Sequence, residues 1–244
     1  MDQDQELLPG ASSSGGEVSN GPATASENSL TKIKAIGKSV ALRNVYLAPL
    51  ETRNWLFHTK YCRQEFEECK LLIEQELDLT EGNNECANYI YGLIMRKEGK
   101  IEISLRYFEK CNELNPTKVE NLKQIARSLF LLGKQQLAVE TYLKAERFSF
   151  EPDSSIYYNI ALCYSKLGQE QKAIDYLTKA LRISQREEYF SELASLYTNQ
   201  NNIKEAISVY KAALRQFSSS SDLAAELGLL YLGEGQNEKA FNKP

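Results

Sequence analysis

The residues that best combine type and spacing for chemistry are Lys123 and Arg127, two cations four positions apart. If the surrounding segment is helical, this spacing places both side chains one turn apart on the same face. Paired cationic donors can bind a carboxylate through charge-assisted hydrogen bonds. Lys123 and Arg127 therefore predict a site for an acidic peptide, and the alternative is a solvated or intramolecularly paired face.

Other side chains offer little for catalysis or metal binding. The only histidine, His58, lies near Trp55 and Tyr61 without the nucleophile and carboxylate of a catalytic triad. The chain has no GxxxxGKS/T, GxGxxG or HExxH motif. Its five cysteines form no CxxC pair, and Cys111 occupies a position otherwise held by small residues, so we interpret it as a packed thiol. We predict no enzymatic activity, no cofactor and no metal site.

Composition and charge indicate a soluble folded protein. The 244 residues are 42% hydrophobic and 25% charged, with a formal net charge of -4. Such a balance lacks the broad cationic field that nucleic-acid backbones attract, so we expect no nucleic-acid partner. No run of about 18 apolar residues is present, and the N-terminus carries acidic residues where a secretory signal would be basic. We expect a cytoplasmic protein without membrane insertion.

From about residue 54 the sequence repeats with a period near 34 residues, and this repeat is the element that must position any site. A small residue recurs in each first helix at spacings of 34, 35, 33 and 34, namely Gly92, Ala126, Ala161, Ala194 and Gly228. A bulky residue follows three positions later, as at Tyr164. Glycine marks the turn in every repeat but one, where Asn201 replaces it because asparagine tolerates the left-handed backbone conformation.

The predicted second helices follow the same register. Their small positions are Ser104, Ala138, Ala173, Ala206 and Ala240, and four residues later come Phe108, Tyr142, Leu177 and Tyr210. We expect these small and large side chains to interlock within each repeat. The period and the pattern are those of the tetratricopeptide repeat, which predicts an all-α solenoid with a right-handed superhelical twist.

The same register predicts the domain organisation. Residues 1–45 are expected to form a disordered tail and linker, because the segment is rich in Ser, Gly, Asn and Glu. Within it, the basic stretch 32–43 is either a docking peptide or a plain linker. A divergent leading hairpin is expected at 50–84, and tetratricopeptide repeats at 85–244, starting near 85, 119, 154, 187 and 221, with the last incomplete.

A stack of such hairpins is typical of proteins that bind other proteins, since its first helices line a concave groove for extended peptides or helices. The Lys-x-x-x-Arg pair at 123 and 127 also resembles that of peptide-clamp co-chaperones. Their pattern needs further Lys and Asn residues, but the corresponding positions here fall near Asn54, His58 and Leu93. A co-chaperone adaptor is therefore the alternative function, and a substrate-recognition appendage of a transferase is a third.

Some segments carry more information than the repeat, since packing does not fix most of their residues. They are 121–134 (NLKQIARSLFLLGK), 54–61 (NWLFHTKY), 66–70 (FEECK), 226–232 (ELGLLYL) and 239–241 (KAF). In the same order over about 50 to 241, they resemble the Bardet-Biedl syndrome 4 family of BBSome subunits. That family's proteins are longer, so the resemblance implies a truncated or alternative form.

The resemblance implies a function in carrying membrane proteins into and out of cilia and in cilium assembly. It implies other BBSome subunits as partners, together with the pericentriolar material protein and dynein-dynactin. It also implies localisation at centriolar satellites, the centrosome, the basal body and the cilium, and it brings no catalytic residues.

Overall fold

The computed structural model describes residues 53–235 of the chain. The predicted tail and linker at 1–45, the basic stretch 32–43 and the predicted second helix of the last repeat lie outside these residues. The described part is all-helical, in agreement with the predicted fold class. Its helices are α1 (Asn54–Cys62), α2 (Phe66–Leu79), α3 (Glu85–Lys97), α4 (Ile101–Leu114), α5 (Val119–Leu131), α6 (Gln135–Phe148), α7 (Ser154–Lys166), α8 (Glu170–Ile183), α9 (Glu187–Asn199), α10 (Ile203–Gln216) and α11 (Ser221–Gly233).

Within each described hairpin the two helices are joined by a tight turn with one residue in the left-handed conformation. Three of these residues are the glycines Gly99, Gly133 and Gly168, Gln64 adopts φ 61° in the leading hairpin, and Asn201 adopts φ 59° in the turn between α9 and α10, as its position predicted. The residue after each turn donates a backbone hydrogen bond to the carbonyl oxygen five residues earlier, for example Lys100 to Met95 at 2.9 Å. This bond satisfies a carbonyl at the helix end and ends the first helix at the same point in every repeat.

The hydrophobic core is a continuous layer between the hairpins. Phe108 on α4 is fully buried and belongs to a cluster that includes Leu122 on α5 and Tyr142 on α6. Ala173 and Leu177 on α8 form the next cluster with Tyr189 on α9. Since each cluster draws on neighbouring hairpins, no hairpin buries its apolar face alone, and the stack is stabilised by contacts between adjacent repeats.

The leading hairpin, formed by α1 and α2, fills the same positions with different side chains. Phe57 occupies the position of Gly92 and is fully buried, while Ile73 occupies that of Phe108. Glu76 lies where later repeats carry a small residue, and it is buried within 3.3 Å of the Asn84 amide nitrogen. Both positions therefore hold large side chains in this hairpin, whereas the later repeats pair a small residue with a large one.

Candidate functional site

The first helices α1, α3, α5, α7, α9 and α11 form one surface of the stack, which we call the groove. Successive first helices contact one another directly in the pairs α1–α3 and α5–α7. Side chains at equivalent positions therefore lie in rows across the groove, as the repeat geometry requires. Lys123 and Arg127 both belong to α5.

Lys123 is bound within the protein. Its ammonium donates to the Asp153 carboxylate at 2.6 Å, and Asp153 caps α7 by accepting from the Ser155 backbone amide at 2.8 Å. Burial acts to raise the pKa of the Asp153 carboxyl, but hydrogen bonds from Lys123 and Ser155 outweigh it and lower that pKa. The ion pair joins two repeats, and it leaves Lys123 already neutralised.

Arg127 is exposed, and within residues 53–235 it forms no ion pair. Three residues before it on the same face of α5, the Gln124 side-chain oxygen accepts from the guanidinium of Arg96 on α3. The Gln124 amide in turn donates to the Tyr89 hydroxyl at 3.1 Å. The structure thus places Arg127 beside Arg96, a residue that the sequence analysis did not identify.

Arg96 is held in a fixed position. Its guanidinium carbon lies 5.2 Å from the centroid of the Phe108 ring, within cation–π distance. One terminal nitrogen, Nη1, is buried without a hydrogen-bond partner in the described part of the chain. Burial, reinforced by the charge of Arg127, lowers the pKa of Arg96. No sequence motif marks Arg96, because only the contact between two repeats brings it to Arg127.

A second polar junction lies at the N-terminal end of α3. Glu85 accepts from Lys118 at 2.8 Å and from Asn121 at 2.9 Å, and these contacts join α3 to the next repeat. Burial acts to raise the pKa of Glu85, but hydrogen bonds from Lys118, Asn121 and Asn115, together with the charge of Lys118, lower that pKa overall. An open cavity of about 640 Å³ lies beside this junction, with Tyr89 and Cys86 among its lining residues. The Glu85 carboxylate is already paired with Lys118, so the junction serves primarily to connect repeats.

The remaining polar candidates lie apart from the groove cations. His58 is exposed and has the Cys62 sulfur 3.6 Å from its Nδ1. Cys111 is fully buried, and burial raises the pKa of its thiol to about 12. Among residues 53–235, no group of three His, Cys, Asp or Glu side chains could hold a metal ion. In the same range, no helix is long and apolar enough to cross a membrane.

The residues predicted to pack the repeats lie at contacts between helices. Two of them, Tyr164 and Gly228, are half-buried. The others are buried, namely Gly92, Phe108, Ala126, Ala138, Tyr142, Ala161, Ala173, Ala194, Ala206 and Tyr210. A Cβ atom added at Gly92 would lie 2.9 Å from the Phe108 ring, which shows how closely this pair approaches.

Comparison with known structures shows the fold. PilW, a type IV pilus biogenesis factor, matches with a TM-score of 0.71 at 18% identity, over 80% of this chain and 90% of PilW. Pseudomonas aeruginosa PilF matches with a TM-score of 0.67 at 15% identity, over 79% of this chain and 87% of PilF. Tetratricopeptide repeat models match residues 87–118 and 191–243, and the model for regulator of microtubule dynamics protein 1-3 matches residues 133–192.

Curated relatives match more closely. The BBSome complex member BBS4 of Bos taurus is 40% identical over 192 residues, which are 79% of this chain and 37% of the bovine protein. The Drosophila melanogaster homologue is 31% identical over 201 residues, or 78% of this chain and 41% of that protein. The chain thus spans little more than a third of the length of these relatives. Together, the repeat register, the fold and this identity show that the chain belongs to the tetratricopeptide-repeat family of the BBSome complex members BBS4.

Proposed function

We propose that the chain is a non-catalytic scaffold that binds other BBSome subunits and acts in ciliary membrane-protein trafficking and cilium assembly. The proposal includes the pericentriolar material protein and dynein-dynactin as further partners. It also includes residence in the cytoplasm, at centriolar satellites and the centrosome, and at the basal body and cilium. The described residues supply a stack whose long groove and ridges suit broad contacts with folded partners and helices.

The supporting observation is the contrast between two kinds of similarity. The bacterial tetratricopeptide structures share the fold at 15–18% identity, which is what the packing positions alone require. The bovine BBS4 is 40% identical over 192 residues, well above that level. We therefore assign the function of the relative, and not only its fold, to this chain.

The peptide-clamp adaptor is the alternative proposal, and the local geometry argues against it. A clamp needs a free lysine for the ligand's carboxylate, whereas Lys123 is paired with Asp153 at 2.6 Å. Asn54, at another clamp position, accepts from the Asn84 side chain at 3.1 Å. Binding a C-terminal carboxylate at Lys123 would first require breaking its ion pair with Asp153, the residue that caps α7.

An affinity pull-down from ciliated cells, followed by mass spectrometry, tests the proposal. Ala161→Trp should break the stack, because Ala161 is fully buried between α7 and α8. Ala225→Trp is the matched control, since Ala225 is exposed on α11. We expect BBSome subunits with the native chain and with Ala225→Trp, and their loss with Ala161→Trp. Recovery of chaperones without BBSome subunits by the native chain would overturn the proposal.

A further inference from the structure

We propose that Arg96, Arg127 and Gln124 form a subsite in the groove that binds the carboxylate of an aspartate or glutamate side chain in an extended partner segment. The inference rests on the proposed scaffold function only in assuming that a partner segment lies along the first helices. It names one position in the groove, between α3 and α5, and one chemical group of the partner.

Charge distinguishes Arg96 and Arg127 from the cations around them. Within residues 53–235, neither Arg96 nor Arg127 has a carboxylate partner, whereas nearby Lys118 and Lys123 each form an ion pair at 2.8 Å or less. Arg96 is hydrogen-bonded to Gln124, which lies three residues from Arg127 on the same face of α5, so the two guanidinium groups are neighbours across the contact between the repeats. Two neighbouring like charges are unfavourable, and a single anion between them removes that repulsion. The chain as a whole is acidic, so this pair is a local exception.

Arg96 is also partly buried and held in a fixed position. Buried cations are normally paired, yet one Arg96 nitrogen is buried without a hydrogen-bond partner in the described part of the chain. The Phe108 ring and the Gln124 side chain fix the plane of the guanidinium. A fixed, partly desolvated donor loses little entropy on binding and interacts strongly with an anion. Arg127, which is exposed, can close over a ligand that reaches this point.

A peptide carboxylate is the class of ligand that the subsite fits. The exposed guanidinium of Arg127 presents a fork of N–H donors that matches a carboxylate in bidentate geometry, and Arg96 adds a second, fixed positive charge beside it. A nucleic acid would need a longer row of cations, and the next lysine along the groove, Lys123, is already neutralised by Asp153. An extended peptide that follows the first helices would bring an acidic side chain directly to Arg96 and Arg127. The partner segment should therefore carry Asp or Glu at this position.

The experiment measures binding of a peptide with alternating Glu and Ala residues, with its Gln-and-Ala counterpart as the probe control. NMR follows the Nε–H signals of Arg96 and Arg127 in the full chain, which also detects weak binding. We expect both signals to shift with the Glu peptide and not with the Gln peptide. Arg127→Gln should weaken binding about tenfold or more, as the loss of a charged hydrogen bond implies.

Two further variants separate binding from structure. Arg106→Gln removes the same charge from the exposed face of α4 and should leave the affinity unchanged. Arg96→Lys keeps the charge but loses the planar guanidinium that Phe108 and Gln124 hold in place. Binding should therefore weaken, while the circular dichroism spectrum stays native. If Arg96 serves only to pack on Phe108, the Glu peptide would shift neither signal.

Equal binding of the Glu and Gln peptides, or full affinity in Arg127→Gln, would overturn the subsite. These results leave the scaffold proposal standing if the pull-down still recovers BBSome subunits. Conversely, selective binding of the Glu peptide without recovery of BBSome subunits would support the subsite and overturn the proposed function.

Discussion

Gly92→Ala probes the closest contact in the stack, the approach of α3 to the Phe108 ring on α4. A Cβ atom at Gly92 would lie 2.9, 3.0 and 3.2 Å from three ring carbons of Phe108. Carbon atoms pack best at about 3.5–4.0 Å, so the ring would have to move by roughly half an ångström or more. Phe108 is fully buried, with the Tyr89 ring at 5.6 Å and Arg96 at 5.2 Å on its other sides, and has little room to move.

Two effects of opposite sign determine the magnitude. Replacing glycine by alanine in a helix interior is normally worth about 0.8–1 kcal/mol of added stability. Overpacking a well-filled core costs about 1–3 kcal/mol. Because the clash involves a ring confined on several sides, we expect the second effect to prevail. The free energy of unfolding should fall by about 1 kcal/mol.

Urea unfolding followed by circular dichroism measures this change as a shift of the transition midpoint. Gly233→Ala is the matched control, because Gly233 is helical, exposed and has no atom within 4 Å of an added Cβ. It should be neutral or slightly stabilising. In a Phe108→Leu background, the added methyl group at Gly92 should become neutral or stabilising. An increase in stability for Gly92→Ala equal to that of the control would refute the reasoning.

Three other predictions concern the turn, the thiols and the inter-repeat ion pairs. Asn201→Ala should lower stability by about 1–2 kcal/mol in thermal unfolding, because alanine disfavours φ 59°, whereas Asn201→Gly should not. Iodoacetamide should modify exposed Cys62 in the folded protein but reach buried Cys111 only in urea, as read by mass spectrometry. The pKa values of Asp153 and Glu85 lie below their ordinary values of 3.8 and 4.5, so the ionised carboxylates stabilise the folded protein at pH values above this range. The free energy of unfolding, measured by urea titration, should therefore fall as the pH drops below about 4.5, and it should fall less in Asp153→Asn.

The repeat pattern predicts the fold well because the residues that define each tetratricopeptide repeat act through local backbone preferences. Glycine or asparagine at the turn sets where the first helix ends, and this is visible in one chain without any contact information. Asn201 illustrates the point, since its residue type and position sufficed to predict a left-handed turn that the structure confirms. A prediction of this kind needs only the period and the conformational preference of a single residue.

The groove is harder to predict, because its properties arise between repeats. Lys123 and Arg127 look equivalent in the sequence, yet the structure pairs Lys123 with Asp153, thirty residues away, and leaves Arg127 beside Arg96. The separation along the sequence from Lys123 to Asp153, and that from Arg96 to Arg127, is not a multiple of the repeat length, so the repeat register does not reveal either pair. Charge pairing between repeats thus decides which cations can bind a partner, and only the assembled stack shows it.

The leading hairpin shows which features of the repeat pattern are needed for packing. Elsewhere a small residue on the first helix faces a large one on the second, as Gly92 faces Phe108, but in α1 and α2 the large residue is Phe57 and its partner is Ile73. The pair in the leading hairpin is larger by several carbon atoms, and both of its side chains are fully buried, so the feature shared with the later repeats is burial of apolar groups at both positions. A sequence pattern that requires a small first residue therefore misses this hairpin. A pattern that requires only apolar residues at the two positions finds it, because the spacing of 35 residues from Phe57 to Gly92 is preserved.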